Sequence, residues 1–237
     1  MEGQHMRTAF IAAVWAAASV SSQAGSIAFT GTSVDLGGTG FGNVLNVLSV
    51  AHKNTEYGSV TWNGSADVLG GDATNSSKTQ SVASMQASGI GGTNFAVYFN
   101  GNEPGNAPSV TLHDFTLHFL DSAGLSLFDL AYTAPVGGLN ISDFGGTGQA
   151  GWLFQVMLSG AEQALFYGNT ANRLGISIAS GQAIELTAGG AENFFLGPIR
   201  TDPGPGGQPT PEPASLAVWG VLAVGLVAAA KRRQAAI

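Results

Sequence analysis

The chain has 237 residues, of which 44% are apolar and only 10% charged, with 35 glycines and no cysteine. That balance excludes a disordered chain, and the missing cysteines exclude disulfides, thiolate metal sites and a cysteine nucleophile. Between Gly25 and Pro213 stand 14 Asp or Glu against four Lys or Arg (Lys53, Lys78, Arg173 and Arg200), so nothing there forms the basic patch that a nucleic-acid partner requires.

The N-terminus describes an address rather than a fold. After Met6 a single Arg7 precedes the apolar stretch Ala9–Ala18, and small polar residues then lead to Ser22-Gln23-Ala24. A short basic region, an apolar region and a small-x-small site make a secretory signal peptide over residues 1–24. Cleavage is expected after Ala24, with Gly25 as the new first residue. The acidic MEGQH ahead of Met6 fits such a leader poorly, which makes Met6 an alternative start.

Residues 25–200 read as an all-β ectodomain of the β-sandwich or jelly-roll kind. Glycine at about twice its usual share suits turns and disfavours helices. Short apolar runs separated by Gly, Asn and Asp predict strands at SVTWNG, NFAVYFN, SVTLHDFTLHFL, LSLFDLAYT, GWLFQVML, LGISIAS, QAIELTA and ENFFLG. In Val110–Leu120 the apolar parity changes between Leu112 and Phe115, so a β-bulge at His113-Asp114 is expected to restore one apolar face. Asp121–Gly124 predicts a hairpin turn, and residues 161–170 a short helix. The segments DLGGTGFG (Asp35–Gly42) and DFGGTGQAG (Asp143–Gly151) echo each other, which in so Gly-rich a chain reads as two similar loops.

Few residues in this stretch promise chemistry. Gly146–Gly151 satisfies G-x-G-x-x-G, but no acidic residue follows at the required distance and no strand–turn–helix surrounds it. Asp143-Phe144-Gly145 spells a kinase triplet without its companions. His113, Asp114, His118 and Asp121 cluster in sequence, yet five strand residues hold the two histidines about 16 Å apart, so they read as solvent-facing strand residues. No catalytic residue, no metal ligand and no cofactor is assigned. Asp35 and Asp143, on their Gly-rich loops, are the carboxylates through which a Ca²⁺ alternative would act. Trp62, Tyr98, Trp152, Tyr132 and Tyr167 would make a sugar-stacking platform if exposed, but strand aromatics fill cores. The sequons at Asn63, Asn75 and Asn140 read as incidental.

Beyond residue 200, the Pro/Gly-rich segment Thr201–Thr210 is a linker. It leads into Pro211-Glu212-Pro213, then the uncharged Ala214–Ala230, then Lys231-Arg232-Arg233. An apolar run of that length covers about 25 Å as a helix and is at the lower limit for a membrane span. The basic residues lengthen its reach by snorkelling and act as the stop-transfer charge on the cytoplasmic side. Two prolines around one Glu make a stiff, extended strand that a processing enzyme could grip.

Those three parts, in that order, resemble the PEP-CTERM sorting signal of Gram-negative bacteria. The resemblance covers residues 211–237 and implies handling by an exosortase-like membrane enzyme, often in cells that make exopolysaccharide. It implies nothing about the domain ahead of it. The expectation is therefore an exported, non-enzymatic surface or matrix protein, held first at the inner membrane by residues 214–230 and then placed at the cell surface or outside. A carbohydrate-binding module, or a secreted glycoside hydrolase or lyase, is the alternative.

Overall fold

A computed structural model describes residues 24–35, 44–52, 55–101, 109–142, 150–182, 184–185 and 191–199. In chain order these form β1 (Ser26–Asp35), β2 (Leu45–Val50), β3 (Thr55–Glu56), β4 (Gly58–Trp62), β5 (Asp67–Gly71), β6 (Gln80–Ser81) and α1 (Val82–Ala87). There follow β7 (Asn94–Asn100), β8 (Ser109–Leu112), β9 (Phe115–Leu120), β10 (Ser126–Tyr132), β11 (Leu139–Ser142) and β12 (Ala150–Met157). The series closes with α2 (Gly160–Tyr167), β13 (Arg173–Ile178), a 3₁₀ turn (Ser180–Gln182), β14 (Ile184–Glu185) and β15 (Glu192–Gly197). The fold is all-β, with antiparallel strands throughout the described ladders.

Three sheets share the strands. One runs β1-β12-β7-β15-β2, a second β10-β9-β13-β4-β5 with β6 beside β13, and a third β11-β8-β14-β3. The first two meet face to face through aromatic side chains, as alternation along each strand requires. Phe115 of β9 packs 5.3 Å from Phe154 of β12 and 5.4 Å from Phe194 of β15, centroid to centroid. Tyr132 of β10 lies 4.9 Å from Phe154. These contacts, with Phe95, Phe99 and Phe119, make one continuous core.

β7 is buried on both faces, which its sequence NFAVYFN does not advertise. Phe95, Val97 and Phe99 enter the main core, while Ala96 and Tyr98 join Val34 and Leu153 in a second cluster on the other side. Tyr98 donates its hydroxyl to the Pro198 carbonyl at 2.6 Å. A Cβ at Gly197 would stand 2.7 Å from the Tyr98 ring, so the absent side chain is what lets the ring lie there.

The helices close the ends of the core. α1 is capped by the Ser81 side chain and buries Val82 and Met85. α2 begins with a capping box, Ser159 and Glu162 each bonding the other's backbone N–H, and drives Phe166 against Phe119 at 4.9 Å. It matches the helix expected at residues 161–170. The Asp121 turn also forms: its carboxylate accepts from the Ala123 and Leu125 N–H groups, and Gly124 has φ +87°.

The expected bulge at His113-Asp114 is corrected. β8 pairs with β11 and β14, whereas β9 pairs with β10 and β13. The chain leaves one sheet and enters another across those two residues, and each strand keeps its own apolar parity. Asp114 fixes the crossing by accepting from the Ala134 N–H at 2.8 Å. Among the described residues no helix is long and apolar enough to cross a membrane. The leader before Ala24, the linker, the expected span 214–230 and the charges Lys231, Arg232 and Arg233 lie outside the described residues.

Candidate functional site

Alternation along β9, β10 and β13 sends Leu117, Phe119, Leu130, Ile176 and Ile178 into the core. It therefore sends His118, Asp129 and Ser177 to the outer face. Asp129 is the direct cross-strand partner of His118, and Gly175 is its partner on the other side. From that position the imidazole reaches diagonally across to Ser177.

The result is a chain of hydrogen bonds. His118 Nδ1 lies 3.0 Å from Asp129 Oδ1, and Nε2 lies 2.7 Å from Ser177 Oγ. A carboxylate only accepts, so Nδ1 carries the proton; Nε2 of the neutral ring then accepts from the Ser177 hydroxyl. Ser126 adds a long contact to the same carboxylate oxygen, at 3.4 Å. This is the bond order of a hydrolytic Ser–His–Asp triad. Such a triad also needs free donors for the oxyanion. Ser177 stands mid-strand, paired with Thr116 on β9 and Ser59 on β4, so the backbone donors around it are engaged in the ladders.

Sequence reasoning placed His118 on a solvent-facing strand, where it is, but missed both partners. The other members of its sequence cluster go elsewhere. His113 Nε2 stands 3.4 Å from Glu185 on β14, Asp114 holds Ala134, and Asp121 holds its own turn. Among the described residues no group of three or more metal-ligating side chains converges. Asp143 lies outside the described residues. Asp35 ends β1 opposite Ala150, the first residue of β12.

A second polar pair is buried. Glu56 of β3 and Glu192 of β15 are both wholly inaccessible. Glu56 accepts from the His52 N–H at 2.6 Å, and its carboxyl group lies beside that of Glu192. Burial pushes the Glu56 carboxyl above the usual range, and the contacts with Glu192 and His52 only partly offset it. Burial of two neighbouring carboxyl groups opposes charging both, so a proton kept on the pair is the state the site favours. Enclosure keeps that pair from any substrate.

The five aromatics do not form a platform. Tyr98 and Tyr132 are buried, and Trp152 and Tyr167 pack against the core. Trp62 is partly open, but its indole N–H donates to the Ser122 carbonyl and the Arg173 guanidinium lies 4.1 Å from the ring centroid. Arg173 is itself tied to Thr79 by a 2.7 Å bond. One face of the ring is thus covered by the chain's own cation.

Of the predicted processing residues, Ala24 is described and exposed. Gly25 beside it donates its N–H to Glu162, and the two residues help line a depression of about 210 Å³ with Ser26, Met157, Leu158 and Ser159. Pro211, Glu212 and Pro213 lie outside the described residues. Comparison with known families, with characterised proteins and with solved structures gives no match to this chain.

Proposed function

We propose that the chain is an exported, non-enzymatic cell-surface or extracellular-matrix protein. In this reading a jelly-roll-like sandwich is delivered by a cleaved leader and sorted through residues 211–237 by an exosortase-like enzyme. The observation that carries it is the ordered tail of Pro211-Glu212-Pro213, apolar Ala214–Ala230 and basic Lys231–Arg233, opposite a leader of matching topology. Pro211, Glu212 and Pro213 are the recognition strand, Ala214–Ala230 the transient anchor, and the three cations the stop-transfer charge. Exopolysaccharide is the partner that the tail's resemblance suggests. The acidic domain would meet it through polar strand faces rather than stacked rings.

Its test is the location of the protein in its own host, with and without Glu212→Ala. The reading expects wild type outside the inner membrane and the variant retained there. Equal membrane retention of both would reduce the Pro-Glu-Pro to a linker end and leave an ordinary anchored protein.

The Ser177–His118–Asp129 chain favours a second reading, a secreted hydrolase acting through an activated serine. Turnover of an activated ester such as 4-nitrophenyl acetate, lost in Ser177→Ala, would support it. An unchanged background rate in Ser177→Ala and His118→Ala supports the non-enzymatic reading.

A further inference from the structure

We infer that removal of the leader completes a built-in ion pair, in which the new α-ammonium of Gly25 docks on the Glu162 carboxylate and locks β1 to α2. The inference rests on the proposed cleavage after Ala24 and adds what that cut does to the folded domain.

The receiving site is already formed. The Gly25 nitrogen lies 2.9 Å from Glu162 Oε2 and 3.2 Å from Oε1, so one backbone N–H faces both carboxylate oxygens. Glu162 is not free to wander. Its Oε2 accepts from the Ser159 N–H at 2.8 Å, and its own N–H donates to Ser159 Oγ at 3.3 Å. The capping box thus aims the carboxylate at position 25 before any charge arrives.

A second, independent feature marks the same spot. A Cβ at residue 25 would stand 2.6 Å from Glu162 Oε2 and 2.8 Å from the Met157 carbonyl. Glycine is therefore required there at an ordinary backbone angle, because the chain passes so close to the acceptors. β1 begins one residue later, with Ser26 paired to Met157. The cut would leave no slack, and its new end would stand one residue ahead of the edge strand.

In the uncut chain, the group facing Glu162 is a neutral amide with one N–H. Cleavage replaces it with a cation carrying three, which turns a neutral acceptor contact into a charge-assisted one. Both partners are partly buried, so solvent screens the pair less than it would an exposed one. Signal removal and domain consolidation are in this way coupled through one atom.

The test compares chains running from Gly25 to Ile237, held in detergent, with the Gly25 amine either free or enzymatically acetylated. Acetylation keeps an N–H and removes the charge. Each is made with Glu162 intact and as Glu162→Gln, which can still serve a capping box. The free amine is expected to raise the unfolding midpoint by about 2–4 °C over the acetylated form, and the gap should close in Glu162→Gln. A gap below 1 °C with Glu162 intact, or an equal gap in Glu162→Gln, overturns the pair. Intact mass of the protein from its host separates the two failures. A start other than Gly25 overturns the cleavage and the inference with it, whereas a Gly25 start with no midpoint gap overturns the inference alone.

Discussion

Glu56→Gln should stabilise the protein at neutral pH. Glu56 and Glu192 are both at 0% exposure, so no solvent screening discounts their interaction. Burial is the largest influence on Glu56 and raises its carboxyl pKa, with Asp72 adding to the rise and His52 opposing it. An acid whose folded pKa is raised binds its proton more tightly in the native state. Its contribution to stability is then fully present below the ordinary carboxylate pKa and is lost as pH rises through the folded one. Charging the second carboxyl of the native pair as pH rises therefore costs stability. Glutamine removes that charge, keeps an oxygen for the His52 N–H, and offers an N–H₂ to Glu192. Relieving a buried, poorly compensated polar group is worth about 1–3 kcal/mol, or about 2–12 °C in a domain of this size. The assay is urea unfolding of wild type and variant from pH 4 to pH 8. The gain should be largest at pH 7 to 8 and shrink towards pH 4, where the native pair holds its protons anyway. Destabilisation of equal size at every pH would refute the shared-proton account and make Glu56 an indispensable anionic acceptor.

Three further outcomes follow from particular contacts. Gly197→Ala should cost about 1–3 kcal/mol, read as a lower urea midpoint, because its Cβ would stand 2.7 Å from the Tyr98 ring that Pro198 holds in place. Phe154→Ala should cost about 3–5 kcal/mol, since that ring meets Phe29, Phe115 and Tyr132 between the sheets. Tyr167→Phe should be neutral or stabilising by up to about 1 kcal/mol. The Tyr167 hydroxyl is buried with no hydrogen-bond partner among the described residues, and burial pushes its pKa up to about 12. A spectrophotometric titration should show one phenol ionising only near that value, absent in the variant. The stability it lends is complete below the ordinary pKa of 10 and is lost as pH rises towards 12.

The interior strands were legible because their apolar residues dominate. β7 and β15 fall on the expected NFAVYFN and ENFFLG, and β12 and β13 lie within two residues of their expected bounds; the edge strand β10, with Leu130 and Tyr132 buried, was legible for the same reason. The other edges were not. β1 reads SIAFTGTSVD, mostly small or polar, because it has a neighbour on one side only and bends at Gly31, where φ is +70°. β5 carries Val68 and Leu69 towards solvent, against the usual pattern. At six residues, α1 is too short to show a helical period. The parity break at His113-Asp114 was visible, but a bulge and a change of sheet leave the same trace in a sequence. The polar sites depend on register. Ser177 is 59 residues from His118 and Asp129 is 11, and only strand pairing brings them together. The Glu56–Glu192 pair joins β3 to β15, near opposite ends of the domain's sequence. Residues 211–233 are the reverse case: the proposal that they form a sorting tail rests on composition and order alone.

The central claim is that this chain is cut at both ends on its way out of the cell. Intact-mass measurement of the protein isolated from its host tests that most directly. The account predicts a species beginning at Gly25 and lacking the residues beyond the Pro211-Glu212-Pro213 region, recovered outside the inner membrane. A full-length species keeping both the leader and Lys231–Arg233 would contradict it.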